Sequence, residues 1–184
     1  MKYKKRIMFL SFLLLFSFVL MGCDNVSNTP TKKVEEFLTK YQTYDSDVSD
    51  DLKNTIDHED LTDEEKERYR KLISDQYKGL TYEIKNETID GDNATVEVEI
   101  EVKDFATAIG NAEDYLSKHE DEFVDDKGEY DKTMYTKYKL DEMEKVKDKV
   151  KYTLQLTLTK ADDEWKMDDL TETEKQKIHG IYDY

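Results

Sequence analysis

The sequence predicts an α+β domain in which an antiparallel sheet of about four strands, arranged as two hairpins, is packed by N-terminal, inserted and C-terminal helices. Three observations lead there. Ala94, Val96, Val98, Ile100 and Val102 alternate with Thr95, Glu97, Glu99 and Glu101, the period of a strand with one dry and one wet face. Val150, Tyr152, Leu154, Leu156 and Leu158 repeat that period. Before, between and after these runs, apolar residues recur at helical spacing behind recognisable caps. Helices segregated to one face of paired strands are the α+β arrangement.

The elements follow in order. Thr29-Pro30 opens a helix, with proline in the first turn where its missing N–H is harmless, and Val34, Phe37, Leu38 and Tyr41 share its inner face. Residues 45–56 form a shorter helix through Val48, Leu52 and Ile56. Thr62 with Glu65 has capping-box spacing and starts a third, striped by Tyr69, Leu72, Ile73 and Tyr77 and ended by Gly79. Leu80, Tyr82 and Ile84 begin a strand that turns at Asp90-Gly91 into the run of residues 94–102. Asp104 caps a helix carrying Phe105, Ile109, Ala112 and Leu116. A weaker helical pattern with Tyr135, Tyr138, Met143 and Val146 follows the polar loop around Gly128. The second long strand turns at Asp162-Asp163 into a short one with Trp165 and Met167. Thr171 with Glu174 is a second capping-box spacing, opening a terminal helix that packs through Ile178 and Ile181.

Ahead of this domain, Met1 to Arg6 carry four positive charges and no acid, and the next 14 residues, 7–20, are apolar but for two serines. A span needs about 20 apolar residues to cross the hydrocarbon core, so the run has the length of a cleaved secretory signal. Leu20-Met21-Gly22-Cys23 follows at once. This segment resembles the lipobox of bacterial lipoprotein precursors: Leu20, Gly22 and Cys23 fit the pattern, and Met21 stands where a small residue is usual. The resemblance implies a signal peptide over residues 1–22, lipidation of Cys23, a tether over 23–28 and a folded domain over 29–184. It places that domain on the extracytoplasmic face of the cell membrane. One acyl chain binds a membrane only marginally, at about 0.8 kcal/mol per buried CH₂, so the implied diacylglyceryl group is what makes the anchor durable.

The order of mature elements resembles the cystatin-like and nuclear-transport-factor-like cone folds of small Gram-positive lipoproteins. The likeness rests on Val34-Glu35-Glu36-Phe37-Leu38, on residues 90–96 and on Glu164-Trp165-Lys166-Met167. None of these pieces is a catalytic motif.

Composition and motifs narrow the chemistry. Without Lys2, Lys4, Lys5 and Arg6, 24 of the 28 basic residues remain against 44 acids, a net charge of −20 for the mature chain. Such a surface repels nucleic acid, whose recognition relies on clustered Lys and Arg. Cys23 is the only cysteine, which excludes an internal disulfide and a thiolate metal site. His58-Glu59 and His119-Glu120 begin like a zinc-protease helix, but Thr62 and Phe123 stand where the second histidine belongs. For all three histidines a solvated position is the expectation. Asp45 to Ile56 fails as a calcium loop, with Asp50 for the sixth-place glycine and Ile56 for the twelfth-place glutamate. No cofactor motif, phosphate loop or activated nucleophile is present in the sequence.

Tyr82, Tyr152 and Trp165 fall on the apolar phase of three strands. Their rings either fill the core, as aromatics commonly do, or line a pocket for a small apolar ligand. The functional expectation is a lipid-anchored, non-enzymatic domain that binds a ligand or a protein. The alternative is a surface hydrolase, or an enzyme accessory, working through paired carboxylates.

Overall fold

The computed structural model describes residues 28–183. They form six α-helices and a four-stranded open antiparallel sheet: α1 (Pro30–Thr43), α2 (Ser46–Asp57), α3 (Asp63–Lys78), β1 (Thr81–Asp90), β2 (Asn93–Lys103), α4 (Phe105–Lys118), α5 (Lys132–Lys145), β3 (Lys149–Ala161), β4 (Glu164–Met167) and α6 (Glu172–His179). The strands lie in sequence order, β1-β2-β3-β4, so two hairpins are joined edge to edge through β2 and β3. The α+β class is thus the observed one.

Each helix starts where its side chains can satisfy orphan backbone donors. Thr29 accepts from the Lys32 N–H, Asp45 from Val48, Asp104 from Thr107 and Asp131 from Thr133 and Met134. Thr62 with Glu65 and Thr171 with Glu174 form reciprocal capping boxes. Asp45, the first acid of the failed calcium loop, is therefore a helix cap.

The two long strands pair their apolar residues directly, Val96 with Leu156, Val98 with Leu154 and Ile100 with Tyr152, all buried. Val34 and Leu38 of α1, Ile73 and Tyr77 of α3 and Ile178 of α6 join them in one core. The opposite face of the sheet is wet and charged; Glu99 and Glu101 pair there with Lys151 and Lys149 across the strands.

Two details depart from the sequence pattern. The first hairpin turns one residue later than Asp90-Gly91. Asp90 pairs with Asn93 as the last rung, and Gly91, at φ 60°, is the first of two loop residues, where the primed turn that suits strand twist needs a glycine. In β1, the register shifts between Ile84 and Asn86, a bulge that reverses the alternation. Its consequence is that Glu87, opposite the buried Val96, comes onto the helix-covered side of the sheet. There its Oε2 accepts hydrogen bonds of 2.8 Å from both the backbone N–H and the hydroxyl of Thr31, in the first turn of α1.

The segment between β2 and β3 is a helical insert. α4 and α5 pack on each other, and α5 also packs on α3. In α5 it is Thr136, Leu140 and Met143 that are buried, while Tyr135 and Tyr138 turn into an aromatic cluster around the buried Phe123.

Candidate functional site

α2 and α6 both pack against α3. The space between them is a cleft of about 290 Å³. Its walls follow from helical periodicity. On α6, Glu172, Lys175, Gln176 and His179 stand at i, i+3, i+4 and i+7, one face of a helix; across from them α2 presents Asp51, Leu52, Thr55 and Ile56, with Glu59 just beyond. The remaining wall is aromatic: Tyr69 and Tyr77 from α3 and Tyr41 from α1.

A hydrogen bond of 2.6 Å joins the Tyr77 hydroxyl to His179 Nε2. The Tyr77 ring meets Tyr41 edge-on, with centroids 4.8 Å apart, and lies 5.6 Å from the His179 ring. Burial sets the protonation of this group. It pushes His179 down to about 4, against the opposing pull of the Asp51 and Glu172 carboxylates, so the imidazole is neutral at neutral pH. It pushes Tyr41 up to about 12, with Asp51 adding in the same direction, and it raises Tyr77 and Tyr69 as well. At the mouth, Lys175 is held by Glu172 at 2.8 Å. Asp51 and Glu59 make no ion pair among the described residues.

The expectation that all three histidines are solvated therefore fails for His179. It sits one residue after the buried Ile178 on a helix packed against α3, so it is half-buried on the cleft wall with its ring against Tyr77. The sequence signal was its position between Ile178 and Ile181. Tyr41, Tyr69 and Tyr77 were legible only as core stripe residues, because the gap between α2 and α6 is a property of packing.

Cys23, Leu20 and Gly22 lie outside the described residues. Tyr82, Tyr152 and Trp165 do share one face of the sheet, but the structure does not bring them together. Tyr82 and Tyr152 flank Ile100, whereas Trp165 pairs with Lys160, eight residues along β3 from Tyr152. At the rise of a strand that is roughly 26 Å. Tyr152 is buried and its hydroxyl donates to the Tyr182 carbonyl at 2.8 Å, and Trp165 is buried against the α1 side of the sheet. Both rings fill core space, and no common pocket lies between them.

Among the described residues no three His, Asp or Glu side chains are grouped to hold a metal ion, and no helix is long and apolar enough to cross a membrane. No family model, curated protein or solved structure matches the chain.

Proposed function

We propose that this chain is a lipid-anchored extracytoplasmic protein whose acidic domain binds a small ligand, without chemistry, in the cleft between α2, α3 and α6. The observation that carries the binding reading is the Tyr77–His179 pair set in an aromatic-walled cleft. A concave site with apolar walls and a few placed polar groups is the ordinary form of a small-molecule site. The same pair argues against acid–base catalysis, because a general base works best with a pKa near the operating pH and burial moves both groups away from it. The address rests on the charged start, the short apolar run and Leu20-Met21-Gly22-Cys23.

Two measurements test the reading. Metabolic labelling with a clickable fatty acid marks the wild-type chain and leaves Cys23→Ala unlabelled; undiminished label in the variant sinks the anchor. For the cleft, compounds that raise the melting temperature of the chain from residue 23 onward, with Cys23→Ser for solubility, lose that effect in Tyr69→Ala. Hits that stabilise both proteins equally place binding elsewhere.

A further inference from the structure

The cleft is unevenly charged in a way that selects among ligands, and we infer that its ligand is a small organic cation, an ammonium group carried on a short apolar body. This rests on the cleft being the binding site and specifies the chemistry it accepts.

The charges come first. Asp51 and Glu59 stand eight residues apart on the stripe of α2 and its C-terminal extension that faces the cleft, and neither has an ionic partner among the described residues. The one basic side chain on the opposite wall, Lys175, is already engaged by Glu172 at 2.8 Å. Asp51 acts electrostatically on Tyr41, Tyr77, His179 and Lys175, residues of α1, α3 and α6, so its charge is felt on every side of the cavity. An anion entering here meets three carboxylates at the rim and no unpaired cation. An ammonium group meets two carboxylates that make no ion pair, Asp51 feeling only the longer-range field of Lys175 and Glu59 that of Lys132.

The walls supply the rest. Tyr41 and Tyr69, only partly buried, offer rings whose negative faces attract a cation once it is partly desolvated. The chain uses this contact elsewhere: Lys78 Nζ lies 4.9 Å over the Tyr44 ring, just outside the cleft. Leu52, Ile56 and Ile181 provide apolar lining for the body of the ligand. A bare metal ion is a poor fit, since the acids are spread along a helix and do not converge. The volume, about 290 Å³, falls just below the range of about 300 to 1,000 Å³ usual for ligand sites, which restricts the cleft to a small molecule.

The test uses three probes of one shape and three charges: benzylammonium, benzyl alcohol and benzoate, titrated at neutral pH and about 0.15 M salt, where charges beyond roughly 8 Å are screened. The chain from residue 23 with Cys23→Ser is followed by amide chemical-shift mapping. Benzylammonium shifts amides of α2, α3 and α6 and binds at least about tenfold more tightly than the alcohol, the equivalent of about 1.4 kcal/mol, while benzoate leaves them in place. Asp51→Asn with Glu59→Gln removes that advantage and keeps the fold, read from unchanged dispersion of the sheet amides. The cation assignment is overturned if the alcohol or benzoate binds the cleft as tightly, or if the double variant holds benzylammonium like the wild type; binding in the cleft itself then still stands. If none of the three shifts the cleft amides, the binding reading falls along with the cation.

Discussion

Two histidine–tyrosine clusters occur in this molecule, one in the cleft and one in the helical insert, and their environments make them different objects. His179 and Tyr77 meet in the cleft with the phenol buried, the imidazole neutral and one hydrogen bond of 2.6 Å between them. In the insert, His119 stacks on Tyr115 at 4.1 Å, Tyr115 stacks on Tyr138 at 5.0 Å, and the outer ring is open to water. His119 is 43 % exposed and lies 3.3 Å from Glu122, which also accepts the Tyr115 hydroxyl at 2.8 Å. That carboxylate, more than burial, raises the Tyr115 phenol. The same residue types line a cleft in one place and form a solvated brace in the other. What separates them is whether a second helix stands close enough to exclude water without filling the gap.

That contrast is sharpest in stability. Tyr77→Ala empties a buried site flanked by Tyr41, Tyr44 and His179 and lowers stability by about 3–5 kcal/mol, whereas Tyr115→Ala lowers it by about 1 kcal/mol. Urea midpoints measure both; equal losses would make the insert cluster a second core. Acid gives the next largest effect. A histidine depressed from 6.5 to about 4 takes up its proton more readily in the unfolded chain. Its contribution is complete above pH 6.5 and is lost as pH falls toward 4, on the order of 2–3 kcal/mol. The stability difference between wild type and His179→Gln therefore shrinks across that window; curves that stay parallel from pH 7 to 4 would show that the imidazole is already hydrated. The smallest effect is expected for Tyr115→Phe, which removes only an exposed hydrogen bond to Glu122 and leaves the urea midpoint at the wild-type value.

The sheet was legible because period-two runs such as residues 94–102 encode a face as well as a strand, and both capping boxes were legible because their chemistry is local. What depends on neighbours was not. The bulge at Lys85 has no composition signal; it shows only in the pairing of β1 with β2, and it brings Glu87 beside α1. The ring of Tyr152 could be placed on the correct face, but not its distance from Trp165, because phase along a strand says nothing of how far apart two residues on that phase lie. The cleft was invisible for the same reason. Its residues come from four helices, and each stripe taken singly looks like core.

The first described residue touches the last strand. The Asn28 side chain donates to the Asp163 carbonyl at 2.6 Å and accepts from the Trp165 N–H at 3.1 Å, 137 positions away, while α1 lies against β4. At the other end, buried Gln76 accepts from the Lys103 N–H and donates to the carbonyls of Lys103 and His179, and Gly180 passes so close that any side chain there would collide with Gln76 and Lys103. Both closures need residues beyond 160. As the chain is made from its N-terminus, α1 can meet α3 and β2 early, but the Asn28 side chain and Gln76 find these last partners only once residues 163–180 are out. Residues 163–180 thus act as a clasp that ties both ends of the fold together.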